Sequence, residues 1–285
     1  MALMPNIFDL PMSLGDHLHE LRKRLIIPVA MLALLFFAAF YYQNELKVIF
    51  LKPLLWGIMI HPQLSQQAGL PIDGSTRVLH ALDMSESAML SMSVSFYAAL
   101  YMTIPILVYQ IWKFVGVGLM SNERRLAFLF VPAGIMFFYA GSLAGYFFGL
   151  PYYYAWLIEW AAHDQTTILT IRQYSYHDSF ILMTICFGLI ADIPWLVMVL
   201  VRVGFVTPAT LAKKRKFIVL VNTVIAGLIT PPDGMSMLIM MVPLQLLFEL
   251  GLVLSRGMIA YNAWRERVEA AKASNDHHAK DHHDG

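Results

Sequence analysis

The sequence predicts an all-α polytopic membrane protein with six transmembrane helices, and three observations carry that expectation. Of 285 residues, 58% are hydrophobic and only 14% charged, whereas a soluble domain carries about a quarter charged residues. The apolar residues cluster in stretches near the ~20 residues that cross a hydrocarbon core. Within those stretches they run continuously, without the alternation in ~10-residue segments that marks a membrane β-barrel.

Taken in order, the first element is a polar, amphipathic helix over about 13–24. Leu14, Leu18, Leu21 and Leu25 share one face at helical spacing, which places it on the inner membrane surface. Ser13 with Asp16 suits its start. Span one follows at about Leu25–Tyr42, and span two, rich in Ser and Met, at about Ala88–Trp112. Span three covers about Leu126–Leu150 and span four about Phe180–Val201. Span five, Phe217–Ile229, is short and stops at Thr230-Pro231-Pro232-Asp233-Gly234; span six, about Met235–Ser255, follows at once. Spans five and six thus read as a short hairpin, which thins the bilayer locally or tilts against neighbours. Residues 1–256 form one six-span domain, and 257–285 a tail expected to be disordered, its His277, His278, His282 and His283 solvated rather than metal-bound.

The segments between spans are not all simple linkers. Gln43–Ser87 mixes amphipathic helix and turn around Lys52-Pro53-Leu54 and Gly69-Leu70-Pro71. Pro151–His177 opens on Tyr152, Tyr153, Tyr154 and Trp156, an aromatic belt at the interface.

Lysine and arginine fix the orientation. Sixteen of the twenty fall on one side of this scheme; the other side holds only Lys47, Lys52, Arg77 and Arg172. By the positive-inside rule both termini are cytoplasmic, and five or seven spans would scramble the bias. The single cysteine, Cys186, sits in an apolar run and excludes an intrachain disulfide. No cleavable signal peptide is expected, because the basic cluster Arg22-Lys23-Arg24 follows Asp9, Asp16 and Glu20 instead of opening the chain.

Four polar sites need explaining. Asp192, followed by Pro194, lies inside span four, where a carboxylate at mid-membrane depth costs at least ~2.5 kcal/mol. It serves either a function or a hydrogen bond tying helices together, and the proline loosens the helix there. Glu20 precedes span one and has Arg24 at i,i+4 spacing. Glu123 precedes Arg124 and Arg125 in the short inner loop before span three. Glu249, near the inner end of span six, either snorkels or pairs with Arg256. No cofactor or metal is implied, and no nucleotide-binding glycine loop, His-Glu-x-x-His pattern or nucleophile elbow appears. An intramembrane aspartyl protease is disfavoured, because the Gly-x-Gly-Asp loop of that class is absent and Asp233 falls at an outer turn.

Several stretches together resemble TatC, the core subunit of the twin-arginine protein translocase. They are His17-Leu18-His19-Glu20-Leu21-Arg22-Lys23-Arg24-Leu25, Lys52-Pro53-Leu54, and Tyr109-Gln110-Ile111-Trp112-Lys113-Phe114. They continue with Glu123-Arg124-Arg125-Leu126, Thr230-Pro231-Pro232-Asp233 and Leu247-Phe248-Glu249-Leu250-Gly251 before Ser255-Arg256. Each is weak alone; six in family order, from about residue 13 to 256, are specific.

The resemblance implies a receptor in the bacterial cytoplasmic membrane rather than an enzyme. It would bind signal peptides carrying paired arginines at the inner face, with Glu20, Arg22 and Glu123 as the site. It would assemble with TatA-like and TatB-like single-span proteins, as a homo-oligomer within a complex, to move folded proteins by the proton-motive force. Asp192 would contact a partner helix, with Pro53, Glu86, Asp233 and Glu249 as structural or secondary positions. No nucleic acid partner is implied. Two departures stand out: Asp192 where the family usually has Glu or Gln, and Val117 where a proline is common. The alternative class is a proton-coupled secondary transporter of small solutes, with Asp192 and Glu249 as its relay.

Overall fold

The structure is a computed structural model that describes residues 14–73, 77–115, 121–163, 169–229 and 234–281. Those residues are overwhelmingly helical, and their one extended pairing is an isolated bridge between His80 and Arg172. The elements are α1 (Leu14–Tyr41), α2 (Gln43–Ile60), α3 (Pro62–Gln67), α4 (Glu86–Val115) and α5 (Ser121–Ala144). A π-helical turn (Gly145–Gly149) leads into α6 (Leu150–His163). Then come α7 (Gln173–Ala191), α8 (Ile193–Val203), α9 (Pro208–Lys213), α10 (Arg215–Ile229) and α11 (Gly234–Asp281).

Five described stretches are long and apolar enough to cross a membrane: His19–Tyr41, Glu86–Phe114, Val131–His163, Gln173–Arg202 and Met241–Glu269. They coincide with five of the six expected spans. The remaining one is α10, which at 15 residues falls short of the ~20 a straight crossing needs. Expected boundaries shift in three places. The outer segment expected to open at Pro151 is helical as far as His163, and the turn before it is wide: Leu150 N–H reaches back five residues to the Gly145 carbonyl. A wide turn relieves the clash that proline would bring to a regular helix. Span four begins earlier, at Gln173, and breaks at Asp192 into α7 and α8. The last helix continues past Arg256 to Asp281, with no break at the expected inner end.

Contacts divide the chain into two units, Met1–Met136 with Ala144–Thr184, and Phe137–Leu143 with Ile185–Gly285. In the first, α1 packs along α4, and α2 packs on α6 and α4. Gly57 makes the α2–α6 approach possible: a Cβ there would lie 2.9 Å from the Pro151 carbonyl oxygen and 3.1 Å from Tyr154 Cβ. Leu54, Ile58 and Pro53 fill that seam and are fully buried. Aromatic rings continue it, with Phe50 4.5 Å from Phe180 and Tyr154 5.1 Å from Tyr176, centroid to centroid. Their hydroxyls are used as well. Tyr176 Oη donates to the Phe50 carbonyl at 2.5 Å, and Tyr154 shares a hydrogen bond with Ser179 at 3.2 Å.

In the second unit, small residues set the spacing. A Cβ on Gly141 would lie 2.7 Å from the Phe187 carbonyl oxygen, so α5 and α7 approach backbone to backbone at that level. Val197, Phe248 and Leu252 form the core between α8 and α11, with Ile193, Leu211 and Ile218 around it. α8 ends at Gly204, whose φ of 85° suits glycine, and Thr207 Oγ1 accepts from Thr210 N–H at 3.2 Å to start α9.

Candidate functional site

Glu20 lies near the N-terminal end of α1, one helical turn before Arg24. Arg24 Nε donates to Glu20 Oε1 at 3.0 Å, and Arg24 Nη2 donates to the same oxygen. The pair is only partly open to water, with the two side chains 17% and 23% exposed. Glu20 Oε2 and Arg24 Nη1 are buried and have no hydrogen-bond partner among the described residues. The i,i+4 pairing suggested by spacing is therefore formed, but it uses one carboxylate oxygen and leaves the other unengaged. Arg22 and Lys23 on the same turn are exposed.

Glu123 falls in the first turn of α5; its side chain lies outside the described residues, as do Val117 and Asp233.

Asp192 marks the junction of α7 and α8. Its backbone N–H reaches the Gly188 and Leu189 carbonyls at 3.3 and 3.2 Å, and its carbonyl accepts from Leu196 N–H at 2.8 Å. Pro194 explains the break, because it has no N–H for the Ile190 carbonyl. Pro194 is fully buried, and its backbone lies against Gly251 of α11, where a Cβ would stand 2.8 Å from Pro194 Cα. Asp192 is half-buried, and its Oδ1 has no hydrogen-bond partner among the described residues. Trp195 Nε1, one turn on, is also buried and unpartnered there. Asp192 Oδ1 is thus enclosed by the chain itself, and an unpaired buried acceptor is costly.

Glu249 departs from expectation. Its partner is Arg215 of α10, with Nη2 to Oε2 at 2.6 Å, rather than Arg256. Arg256 follows at seven positions, nearly two turns on, beyond the one-turn reach that pairs helical neighbours. Gln245 Nε2 donates to Glu249 Oε1 at 3.3 Å, and Asn222 Nδ2 donates to Gln245 Oε1 at 3.1 Å. These four residues form a polar strip joining α10 to α11, and it includes the buried Asn222. Sequence reading counted Arg215 only toward topology. No helical spacing links residues 34 positions apart, so that partner was illegible.

Glu86, expected as a secondary position near the outer face, is a buried clamp. Its Oε2 accepts from Leu82 N–H at 2.8 Å, and its Oε1 from Tyr174 N–H at 2.9 Å and Arg172 Nε at 3.3 Å. The adjacent backbone pairing, His80 N–H to Ile171 O and Gln173 N–H to His80 O, both 2.9 Å, holds the same two segments together. Pro53 is fully buried within α2. Among the described residues no group of three His, Cys, Asp or Glu is gathered tightly enough to hold a metal ion.

The chain as a whole is similar to known proteins. The family described as Sec-independent protein translocase protein (TatC) matches residues 16–243. The chain is 31% identical over 265 residues to the Sec-independent protein translocase protein TatCy of Bacillus subtilis, covering 93% of this chain and 95% of that one. It is 32% identical over 244 residues to the TatC of Deinococcus radiodurans, covering 85% of each. A crystal structure of a twin-arginine translocase receptor, TatC, in DDM superposes with a TM-score of 0.66 at 26% identity, covering 84% of this chain and 99% of that one. The chain is thus a multi-pass helical protein of the bacterial inner membrane and a protein translocase component. On the length of the match and the shared fold, it belongs to the TatC family of Sec-independent protein translocases.

Proposed function

We propose that this chain is the receptor subunit of a twin-arginine translocase, binding paired-arginine signal peptides on its inner face through Glu20 and Glu123, with Arg22 beside them. The observation that carries this reading is the Glu20 carboxylate, which already accepts two N–H bonds from a guanidinium. A carboxylate set in that way suits arginine, whose planar fork offers paired donors; lysine offers a compact point charge instead. Both termini and the Glu20 end of α1 face the cytoplasm, where a precursor arrives. The chain acts as a scaffold and not as a catalyst. It assembles with single-span TatA-like and TatB-like proteins and with further copies of itself, and Asp192 offers one intramembrane contact. Passage of the folded cargo draws on the proton-motive force.

The test is binding of the purified chain in lipid nanodiscs to a paired-arginine signal peptide and to its paired-lysine twin. Preference for arginine, lost in Glu20→Ala and in Glu123→Ala, is the expected result. Equal binding of both peptides, unchanged by either substitution, contradicts the receptor reading. The solute-transporter alternative gains nothing from the family, whose matched members are named as protein translocases.

A further inference from the structure

We infer that a cavity between α6 and α7, at the outer end of the first unit, binds the head of an anionic phospholipid of the outer leaflet. The inference goes beyond the receptor reading and does not depend on it.

The cavity has a volume of about 330 Å³, within the range of small-molecule sites. Its lining comes from α2, α6, α7 and the segment just before α7, all within one unit. Leu54, Tyr154, Ile158 and Tyr176 form its base and are buried. Leu157 adds a half-buried apolar wall, whereas Thr170, Arg172 and Ser175 line the cavity and are exposed. An apolar base thus lies under a rim with one cation and two hydroxyls. An amphiphile with a negative head matches that order; a small ion would leave the base uncovered.

Depth points to a lipid. Ser179 lines the cavity and immediately precedes the apolar run that opens at Phe180. Tyr153 also lines it and belongs to the aromatic belt at 152–156. Aromatic belts sit at headgroup level, so the stretch from Ser179 to the Arg172 rim lies where phosphates and glycerol esters lie. The acyl chains can then run down into the bilayer.

Arg172 supplies the charge. Among the described residues it gives Glu86 its Nε alone, at 3.3 Å, and it stays 48% exposed. Glu86 is already held by the Leu82 and Tyr174 N–H groups, so the rest of the guanidinium fork is not needed there. Such a fork matches phosphate oxygens in pairs, and the Thr170 and Ser175 hydroxyls add donors beside it. A choline head brings its own cation toward the same arginine and fits less well.

The experiment titrates the full chain in detergent with phosphatidylglycerol and phosphatidylcholine of identical acyl chains, and counts bound lipid by native mass spectrometry. Phosphatidylglycerol is expected to bind roughly fivefold more tightly, the effect of about one arginine at a membrane surface. Arg172→Gln should remove that preference. Thr170→Asp, which sets a negative charge beside the phosphate, should remove it too. Leu157→Trp fills the cavity and should weaken both lipids. Lys52→Gln removes an exposed outer cation that does not line the cavity, and should change neither. Glycerol phosphate, a head without chains, should not displace bound lipid at the same concentration.

Equal binding of the two lipids overturns the inference, as does a preference that survives Arg172→Gln or Thr170→Asp. Loss of preference in Lys52→Gln as well would mean general attraction to basic residues, and also overturns it. Unchanged binding to a monodisperse Leu157→Trp places the lipid elsewhere. Displacement by glycerol phosphate would make this a site for a soluble phosphate ester and not for a lipid. Residues 170 and 172 are exposed, so their variants decide the question even if Leu157→Trp does not fold.

Discussion

The hydroxyl of Tyr146 donates to the carbonyl of Ile49 at 2.7 Å, and Ile49 is the residue four before Pro53 in α2. In a regular helix that carbonyl would take the N–H of residue 53, which proline lacks. A tyrosine 97 positions away therefore fills the acceptor that Pro53 leaves empty. The Lys52-Pro53-Leu54 stretch and Tyr146 are two halves of one solution.

Tyr146→Phe should accordingly destabilise the protein by about 1 kcal/mol, the net worth of a typical hydrogen bond. In a Pro53→Ala background the new N–H of residue 53 can take the Ile49 carbonyl, and the penalty of Tyr146→Phe should fall toward zero. Unfolding of the four proteins in a double-mutant cycle measures that coupling. Equal penalties in both backgrounds would show that the hydroxyl does not compensate for the proline.

At Glu86 one carboxylate, 4% exposed, serves two backbone N–H groups, while Arg172 beside it is 48% exposed and bonds at a longer 3.3 Å. The backbone bonds should dominate, because they are shorter and the arginine, half-exposed, keeps much of its hydration. Glu86→Ala strands two amides and should open residues 77–85 to protease. Arg172→Ala should change cleavage only slightly. Comparable cleavage in the two variants would mean the ion pair, and not the clamp on the backbone, holds the segments.

Gly251 and Gly257 stand in one helix with opposite surroundings. A Cβ at 251 would press on Pro194 Cα at 2.8 Å and on Val197 Cβ at 3.1 Å, whereas nothing lies within 4 Å of one at 257. Gly251→Ala should destabilise by about 1–3 kcal/mol, since the obstacle is backbone that cannot rotate away. Gly257→Ala should be neutral or mildly stabilising, because alanine favours helix by up to ~1 kcal/mol. Thermal unfolding of both variants in detergent gives the comparison directly.

The sequence made the helical class, five long spans and the short fifth one legible, because bilayer thickness imposes a length on each apolar run. It also exposed Asp192 and Glu20 as residues needing an explanation, the first by its cost and the second by its spacing to Arg24. The rest depended on which distant helices meet. Glu249 finds Arg215, Glu86 finds Tyr174, and Ile49 finds Tyr146; none of these pairs leaves a periodic trace in the chain. The helix through Pro151 was hidden for another reason. Proline interrupts the helical hydrogen-bond ladder, and the wide turn over Gly145–Gly149 before it has no periodic signature in the chain.

Asp192 is the position where partner binding can be tested with least disturbance to the fold. Its backbone sets the start of α8, while its side chain is only half-buried and leaves Oδ1 unpaired among the described residues. A transmembrane partner offering one donor would gain an interhelical bond worth about 1 kcal/mol. Asp192→Leu should weaken co-purification of a single-span partner by roughly fivefold and slow transport in parallel. Asp192→Asn keeps an acceptor oxygen and should retain most of the binding, so the pair of variants separates hydrogen bonding from charge. Glu249→Gln serves as the control, since Glu249 already spends its oxygens on Arg215 and Gln245, and it should leave partner binding unchanged. Undiminished co-purification and transport in Asp192→Leu would remove this residue from the partner interface and leave its bare oxygen to be explained by the helix break alone.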